Sequence, residues 1–238
     1  EKFGANGAKV VCAARTRSNL DDAAAIIESG GSEALAVEID VSDLESINAG
    51  VQTAIDQFGQ IDVLVNNAGM NVREPMMEAT EEHYDQIMAV NLKGLYFLSQ
   101  AVAKRMISRQ QGKIINIGSL TTSTTLNQGS VYTATKGAVG QLTKAQALEL
   151  GQYNIQANAI CPGFVVTPLT EKIWSDSTMR NWGEGNIPLG RLATPEDMVG
   201  TAVFLAAPAS DYVTGQIIYV DGGFMAGNFW PLPSATSK

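Results

Sequence analysis

Tyr132 and Lys136 stand one helical turn apart in the run Ser130-Val131-Tyr132-Thr133-Ala134-Thr135-Lys136-Gly137. Positions i and i+4 share a helix face, so a phenol and an ammonium there can act on one small volume. A cation beside a phenol favours the phenolate and lowers its pKa from about 10 towards working pH. That makes a general base of a side chain that is ordinarily inert. Ser119 lies thirteen positions before Tyr132, just after the apolar run Lys113-Ile114-Ile115-Asn116-Ile117-Gly118. A hydroxyl at that strand end can hold a substrate oxygen. The bare spacing equally describes a surface tyrosine packed on a lysine stem. Ser119 could equally be one more hydroxyl in the Ser/Thr-rich run to Thr125.

The elements that must carry these groups are legible in outline. Lys9–Ala14, Ala34–Ile39, Ile61–Asn66, Lys113–Ile117, Ile155–Ile160 and Gln216–Val220 read as strands. Most lack polar alternation, which predicts burial on both faces and a parallel sheet. Helical patterns fall between them. Ser42-Asp43-Leu44-Glu45 reads as a capping box opening a helix to about Phe58. Thr80 before Glu81 and Glu82 reads as a second helix start, and Thr194-Pro195-Glu196 as a third with proline at its first position. The alternation predicts an α/β fold, a single domain over residues 1–238 with a doubly wound parallel sheet of the Rossmann type. Residues 168–190 read as a mobile lid and 224–238, with Trp230-Pro231-Leu232-Pro233, as an irregular tail.

Further signals follow in a fixed order. Ile61-Asp62-Val63-Leu64-Val65-Asn66-Asn67-Ala68-Gly69 is a buried-strand run ending in Asn-Asn-Ala-Gly. Asn91-Leu92-Lys93-Gly94 comes next, then Ser119, Tyr132 and Lys136. Cys161-Pro162-Gly163-Phe164-Val165-Val166-Thr167-Pro168 closes another strand, and Val220-Asp221-Gly222-Gly223 lies near the end. As an ordered set this resembles the short-chain dehydrogenase/reductase family, over nearly the whole chain. Its flavour is that of the sugar-acid and polyol members.

The resemblance implies hydride transfer between a nicotinamide nucleotide and a carbinol or carbonyl carbon. It implies that Tyr132 is the acid/base, that Lys136 tunes it and binds the nicotinamide ribose, and that Ser119 donates to the substrate oxygen. Asn91 would organise a helix kink and a water-linked proton path; a helix cap is its plainer reading. Asp40 and Val41 would flank adenine. Asn67, Ala68 and Gly69 would pass beside the nucleotide ribose, and Pro162, Gly163, Val165 and Thr167 would line the nicotinamide. Thr167 could instead only precede a proline turn.

The second strand reads Val11-Cys12-Ala13-Ala14-Arg15-Thr16-Arg17-Ser18. Ala14 stands where an NAD-type member carries an acid, and Arg15 follows. A guanidinium suits a 2′-phosphate, which predicts NADP(H), with NAD(H) possible. Arg15 and Arg17 could also be loop charges only. The family's first strand and glycine-rich phosphate loop, roughly two dozen residues, would precede Glu1 and are not in this sequence. Either the sequence is a partial one of an ordinary enzyme, the favoured reading, or the molecule is truncated. The expectation is either a slot in the sheet between the strands at Lys9 and Ile61 or additional chain filling that place.

Composition removes other classes. The net charge of −8, with both signs interspersed, disfavours nucleic acid. His83 is the one histidine, read as a solvated helix residue, so a histidine-rich metal site is excluded and none is expected. Ser119 lacks the Gly-x-Ser-x-Gly elbow of a hydrolase. Cys12 and Cys161 read as buried free thiols. The chain has no apolar run of membrane length and no visible signal peptide, which predicts a cytoplasmic protein.

For substrate, Trp174 and Trp182 in the lid suit a sugar face or a hydrophobic ketone, with Gly183 and Gly185 as flexible points. Arg73 could clamp a carboxylate or make a loop salt bridge. A sugar acid or polyol comes first, a general ketone reductase second, and a non-catalytic nucleotide-binding relative last. A carrier-protein-linked substrate fits poorly, because an acidic chain repels an acidic carrier. A homotetramer or dimer is expected. The stripe Val139, Leu142 and Leu150 could serve that interface or face the sheet.

Overall fold

The computed structural model describes residues 1–227; the Trp230–Pro233 segment lies outside the described residues. Among the described residues six strands form, all pairing in parallel: β1 (Val10–Ala14), β2 (Ala34–Glu38), β3 (Val63–Asn66), β4 (Gly112–Ile117), β5 (Ile155–Pro162) and β6 (Ile217–Val220). Helices α1 (Lys2–Ala5), α2 (Arg17–Ser29), α3 (Leu44–Phe58), α4 (Glu81–Met88), α5 (Leu95–Arg109), α6 (Ser130–Leu150), α7 (Glu171–Trp174), α8 (Ser177–Asn186) and α9 (Glu196–Ala206) complete the fold. The expected α/β architecture is present. Phe224–Ala226 forms a short 3₁₀ turn where irregular chain was expected.

The two faces of β4 explain the layering. Ile114 packs with Val51, Val102, Met106 and Ala147 of α3, α5 and α6. Its neighbour Ile115 points the other way and packs with Ile160 and Leu205, under α9. Both isoleucines are 1% exposed, so neither face of this strand needs polar residues. Polar residues do enter the α5/α6 face at the strand ends, as a hydrogen-bonded network that leaves Asn66 Oδ1 without a partner among the described residues. The Asn66 amide donates to Ser99 and to Asn116, each at 2.8 Å, and the Asn116 amide donates to Thr143 and Gln146.

The sheet divides where the sequence predicts a slot. The order is β1–β2 in one part and β3–β4–β5–β6 in the other, so β1 and β3 each present an unpaired edge among the described residues. Cys161 in central β5 is fully buried, but Cys12 in β1 is only half-buried, not buried as expected.

The helix starts differ in detail from the pattern. Asp43, not Ser42, caps α3, accepting from the Glu45 amide. The Ser42 hydroxyl is already committed to the Asp40 carboxylate at 2.6 Å. Thr80 caps α4 as expected, accepting from the His83 amide. Pro195 sits one residue earlier than predicted, at the cap of α9.

Between α4 and α5 the chain widens into one π-helical turn, Ala89–Gly94. Gly94, its last residue, must be glycine because a Cβ there would lie 2.4 Å from the Val41 carbonyl oxygen. Gly94→Ala should therefore cost about 1–3 kcal/mol by overpacking, read as a lower urea midpoint at unchanged slope. Gly185→Ala is the control. Nothing lies within 4 Å of that position in α8, so this change should be neutral or stabilising.

Candidate active site

Tyr132 and Lys136 occupy the first turns of α6, which runs beside β5. Lys136 is 4% exposed. Its ammonium donates to the Ile117 carbonyl at 2.7 Å and lies 5.6 Å from the centre of the Tyr132 ring. Burial brings this lysine down to about 8, because a dry site disfavours the cation. Only one of its three N–H donors is committed to Ile117.

Tyr132 departs from expectation. Burial pushes the phenol up from its ordinary value. The neighbouring Ser119 hydroxyl and the Arg73 charge act the other way without overcoming it, and Cys161 adds to the rise. Dehydrating the phenolate outweighs the help it receives. The resting phenol is therefore an acid at neutral pH.

Ser119 ends the chain segment after β4 and caps the short 3₁₀ turn Leu120–Thr122. Its hydroxyl accepts from the Thr121 amide at 3.1 Å. Asn91, 1% exposed within the π turn, is no helix cap. Its Oδ1 accepts from the Met70 amide at 2.8 Å, and its Nδ2 donates to the Met70 carbonyl and to Thr135 Oγ1. Thr135 in turn donates to the Tyr132 carbonyl at 2.7 Å. One buried amide thus ties the segment after β3 to the helix carrying the Tyr–Lys pair.

The other predicted residues fall into groups. Asn67, Ala68 and Gly69 are exposed at the end of β3. A Cβ at Gly69 would lie 3.8 Å from the Lys136 ammonium and 3.5 Å from Asn91 Oδ1, so this backbone faces the site. Pro162 ends β5 opposite Val220. Gly163 lets the chain press on Asp221, where a Cβ would come within 2.7 Å of its Cα. Val165 bridges to Ala193, and Thr167 is fixed in a turn by the Thr170 hydroxyl, 3.1 Å from its own. Arg15 is exposed just beyond β1, and Val41, which follows β2, is half-buried. The Ser42 hydroxyl first, and the Arg15 charge last, hold Asp40 below the usual carboxylate range. Arg17 is paired with Asp21 at 2.8 Å, whereas Arg15 makes no ion pair among the described residues.

The lid residues need correction. Trp174 is 5% exposed and sealed among Leu120, Phe164, Ile187 and Leu192, so it is core and not a substrate contact. The chain turns between α7 and α8, and the indole meets Phe164 edge-on at 5.3 Å. Gly183 packs against that indole and is no hinge. Trp182 remains 43% exposed beside Phe164. His83 is also more than a solvated residue: its Nδ1 lies 2.9 Å from Glu74 Oε2, bracing the loop that carries Arg73. Arg73 itself is exposed and makes no ion pair among the described residues. Sequence reading missed Thr135 and the Cys161–Thr122 contact; the short Ser/Thr-rich run was the only trace of the latter.

Lys136 makes a thermodynamic prediction. Between its folded value, about 8, and the ordinary lysine value, 10.5, the unfolded chain holds the proton and the folded site does not. Stability from this group therefore rises with pH across that window. Relative to Lys136→Met, the unmodified protein should gain on the order of 3 kcal/mol from pH 8 to 10.5 in urea unfolding. A pH-independent difference would contradict the burial of that charge.

A family model described as enoyl-(acyl carrier protein) reductase matches residues 1–225. Gluconate 5-dehydrogenase of Gluconobacter oxydans is 39% identical over 217 residues, covering 91% of this chain and 85% of that protein. L-Xylulose reductase of Bos taurus is 40% identical, covering 93% and 88%. Among solved structures, a gluconate 5-dehydrogenase from Burkholderia cenocepacia in complex with NADP and tartrate superposes with a TM-score of 0.90 at 36% identity, over 93% of this chain and 87% of that one.

Proposed function

The chain belongs to the short-chain dehydrogenase/reductase family, and from that premise we propose that it interconverts a secondary alcohol and a ketone on a sugar acid or polyol, with NADP(H) preferred. The observation that carries this reading is the convergence of Tyr132, Lys136 and Ser119 at one strand end, with the Arg73 charge felt by the same phenol. The relatives named for gluconate and xylulose chemistry, and the one held with NADP and tartrate, support the substrate and nucleotide classes.

The residues fit a nicotinamide nucleotide. Lys136 keeps donors for ribose hydroxyls, the Gly69 backbone faces it, and Arg15 carries no ion pair among the described residues. When bound, that cofactor supplies the hydride chemistry. The protein's part is proton transfer and orientation. In reduction, the protonated Tyr132 gives its proton to the forming alkoxide while Ser119 donates a hydrogen bond to the same oxygen. In oxidation, Tyr132 must first ionise, then takes the alcohol proton. Asn91 holds Met70 and Thr135 so that this geometry persists. Asp40 and Val41 are assigned to the adenine edge. Asn67, Ala68 and Gly69 go to the ribose, and Pro162, Gly163, Val165 and Thr167 to the nicotinamide. Arg73 is assigned to the substrate carboxylate.

Exposed Leu169, Leu189 and Trp182 on the lid keep a hydrophobic ketone as a second reading. We take the enzyme to act as a cytoplasmic homo-oligomer. Leu148, 84% exposed on α6, suits a subunit contact, whereas Val139 of the expected stripe is fully buried. No helix of the described residues is long and apolar enough to cross a membrane.

The test is nucleotide absorbance with keto-gluconates, ketoses and aryl ketones. Tyr132→Phe should abolish turnover while leaving NADP(H) affinity nearly intact; appreciable activity would overturn the assignment. Arg73→Met should raise KM for a sugar acid at least about tenfold and leave a neutral ketose unaffected. Because the phenol is raised, reduction should hold at neutral pH, whereas oxidation should climb on the alkaline side. The reverse pattern would exclude Tyr132 as the titrating group.

A further inference from the structure

Thr122 stands where three elements of the site meet. Its Oγ1 accepts the Ser119 amide at 3.1 Å and lies 3.5 Å from the Cys161 thiol of β5. Its methyl abuts α6, where a Cβ at Gly140 would come within 2.5 Å of Thr122 Cγ2. A Cβ at Gly118 would lie 2.4 Å from the Cys161 sulfur, so the end of β4 also closes on this point. The next residue, Ser123, bonds the Tyr219 hydroxyl of β6. Ser119 itself is in extended backbone, with one lone pair taken by the Thr121 amide. Its O–H is thereby left to point elsewhere.

We propose that Thr122 is a positioning residue for Ser119. Its hydroxyl, backed by the Cys161 thiol, clamps the Ser119 amide, and its methyl fixes the distance from that serine to the helix bearing Tyr132 and Lys136. Cys161 is fully buried and serves as the donor behind the clamp. The inference rests on the reading that Ser119 donates to the substrate oxygen, and it adds the residue that aims that donor. Thr122 touches neither substrate nor cofactor; it acts through Ser119.

Thr122→Val keeps the shape and removes the acceptor. Hydrogen exchange of the Ser119 amide, followed by NMR, should accelerate at least about tenfold. The kcat for ketone reduction should fall about tenfold with nucleotide KM unchanged, because only substrate-oxygen alignment is lost. Thr122→Ser should restore both. In a Ser119→Ala background Thr122→Val should cost no further kcat, since two changes on one path are not additive. Full additivity, or Ser119 exchange indifferent to Thr122→Val, overturns the proposal. The unmodified protein gives a check that needs no variant: its Ser119 amide must be protected, and an unprotected amide also overturns it. Absence of turnover in the unmodified protein would count against the proposed function, while the exchange measurement still decides the clamp.

Discussion

The site depends on one buried ammonium. Lys136 is held under the Tyr132 ring by the Ile117 carbonyl at the end of β4. A charge in that position is unfavourable without a partner, and one carbonyl dipole is a modest one. The lysine therefore sits near its titration point, and the half-buried phenol beside it is raised above its ordinary value by burial. This tension makes both groups responsive. Any ligand that brings hydroxyls to the ammonium or positive charge to the phenol shifts their protonation more than it would in water.

The rest of the architecture keeps that pair in place. β4 supplies Ile117, the turn after it supplies Ser119, α6 supplies Tyr132 and Lys136, and β5 supplies Cys161 behind them. Asn91 reaches the site from the π turn between α4 and α5, and Gly94 lets that turn press on Val41. The parallel sheet puts all of these strand ends on one edge. Division of the sheet between β1 and β3 leaves the Tyr–Lys–Ser group intact, since these residues belong to β4, α6 and the turn joining them. It separates that group from Arg15, which lies beyond β1.

Much of this was legible in the sequence. Apolar runs without alternation marked out six parallel strands to within two residues, because strands buried on both faces need no polar side. The Tyr–Lys spacing gave a shared helix face directly. Four things were not legible. The sign of the Tyr132 shift depends on how dry the site is, and spacing carries no information on burial. Trp174 and Trp182 look alike eight residues apart, but a turn between two short helices sends one into the core. His83 pairs with Glu74 across a loop, nine residues apart, which local pattern cannot anticipate. The cap of α3 moved from Ser42 to Asp43 for a similar reason, since Asp40 competes for that serine.

The most direct test is an NMR titration of the ligand-free protein, following Tyr132 Cζ and Lys136 Cε with selective carbon labels. The account predicts a lysine that titrates near 8 and a phenol still protonated above the ordinary tyrosine value. A lysine titrating where a solvated one does, or a phenolate forming near neutrality without ligand, would contradict it.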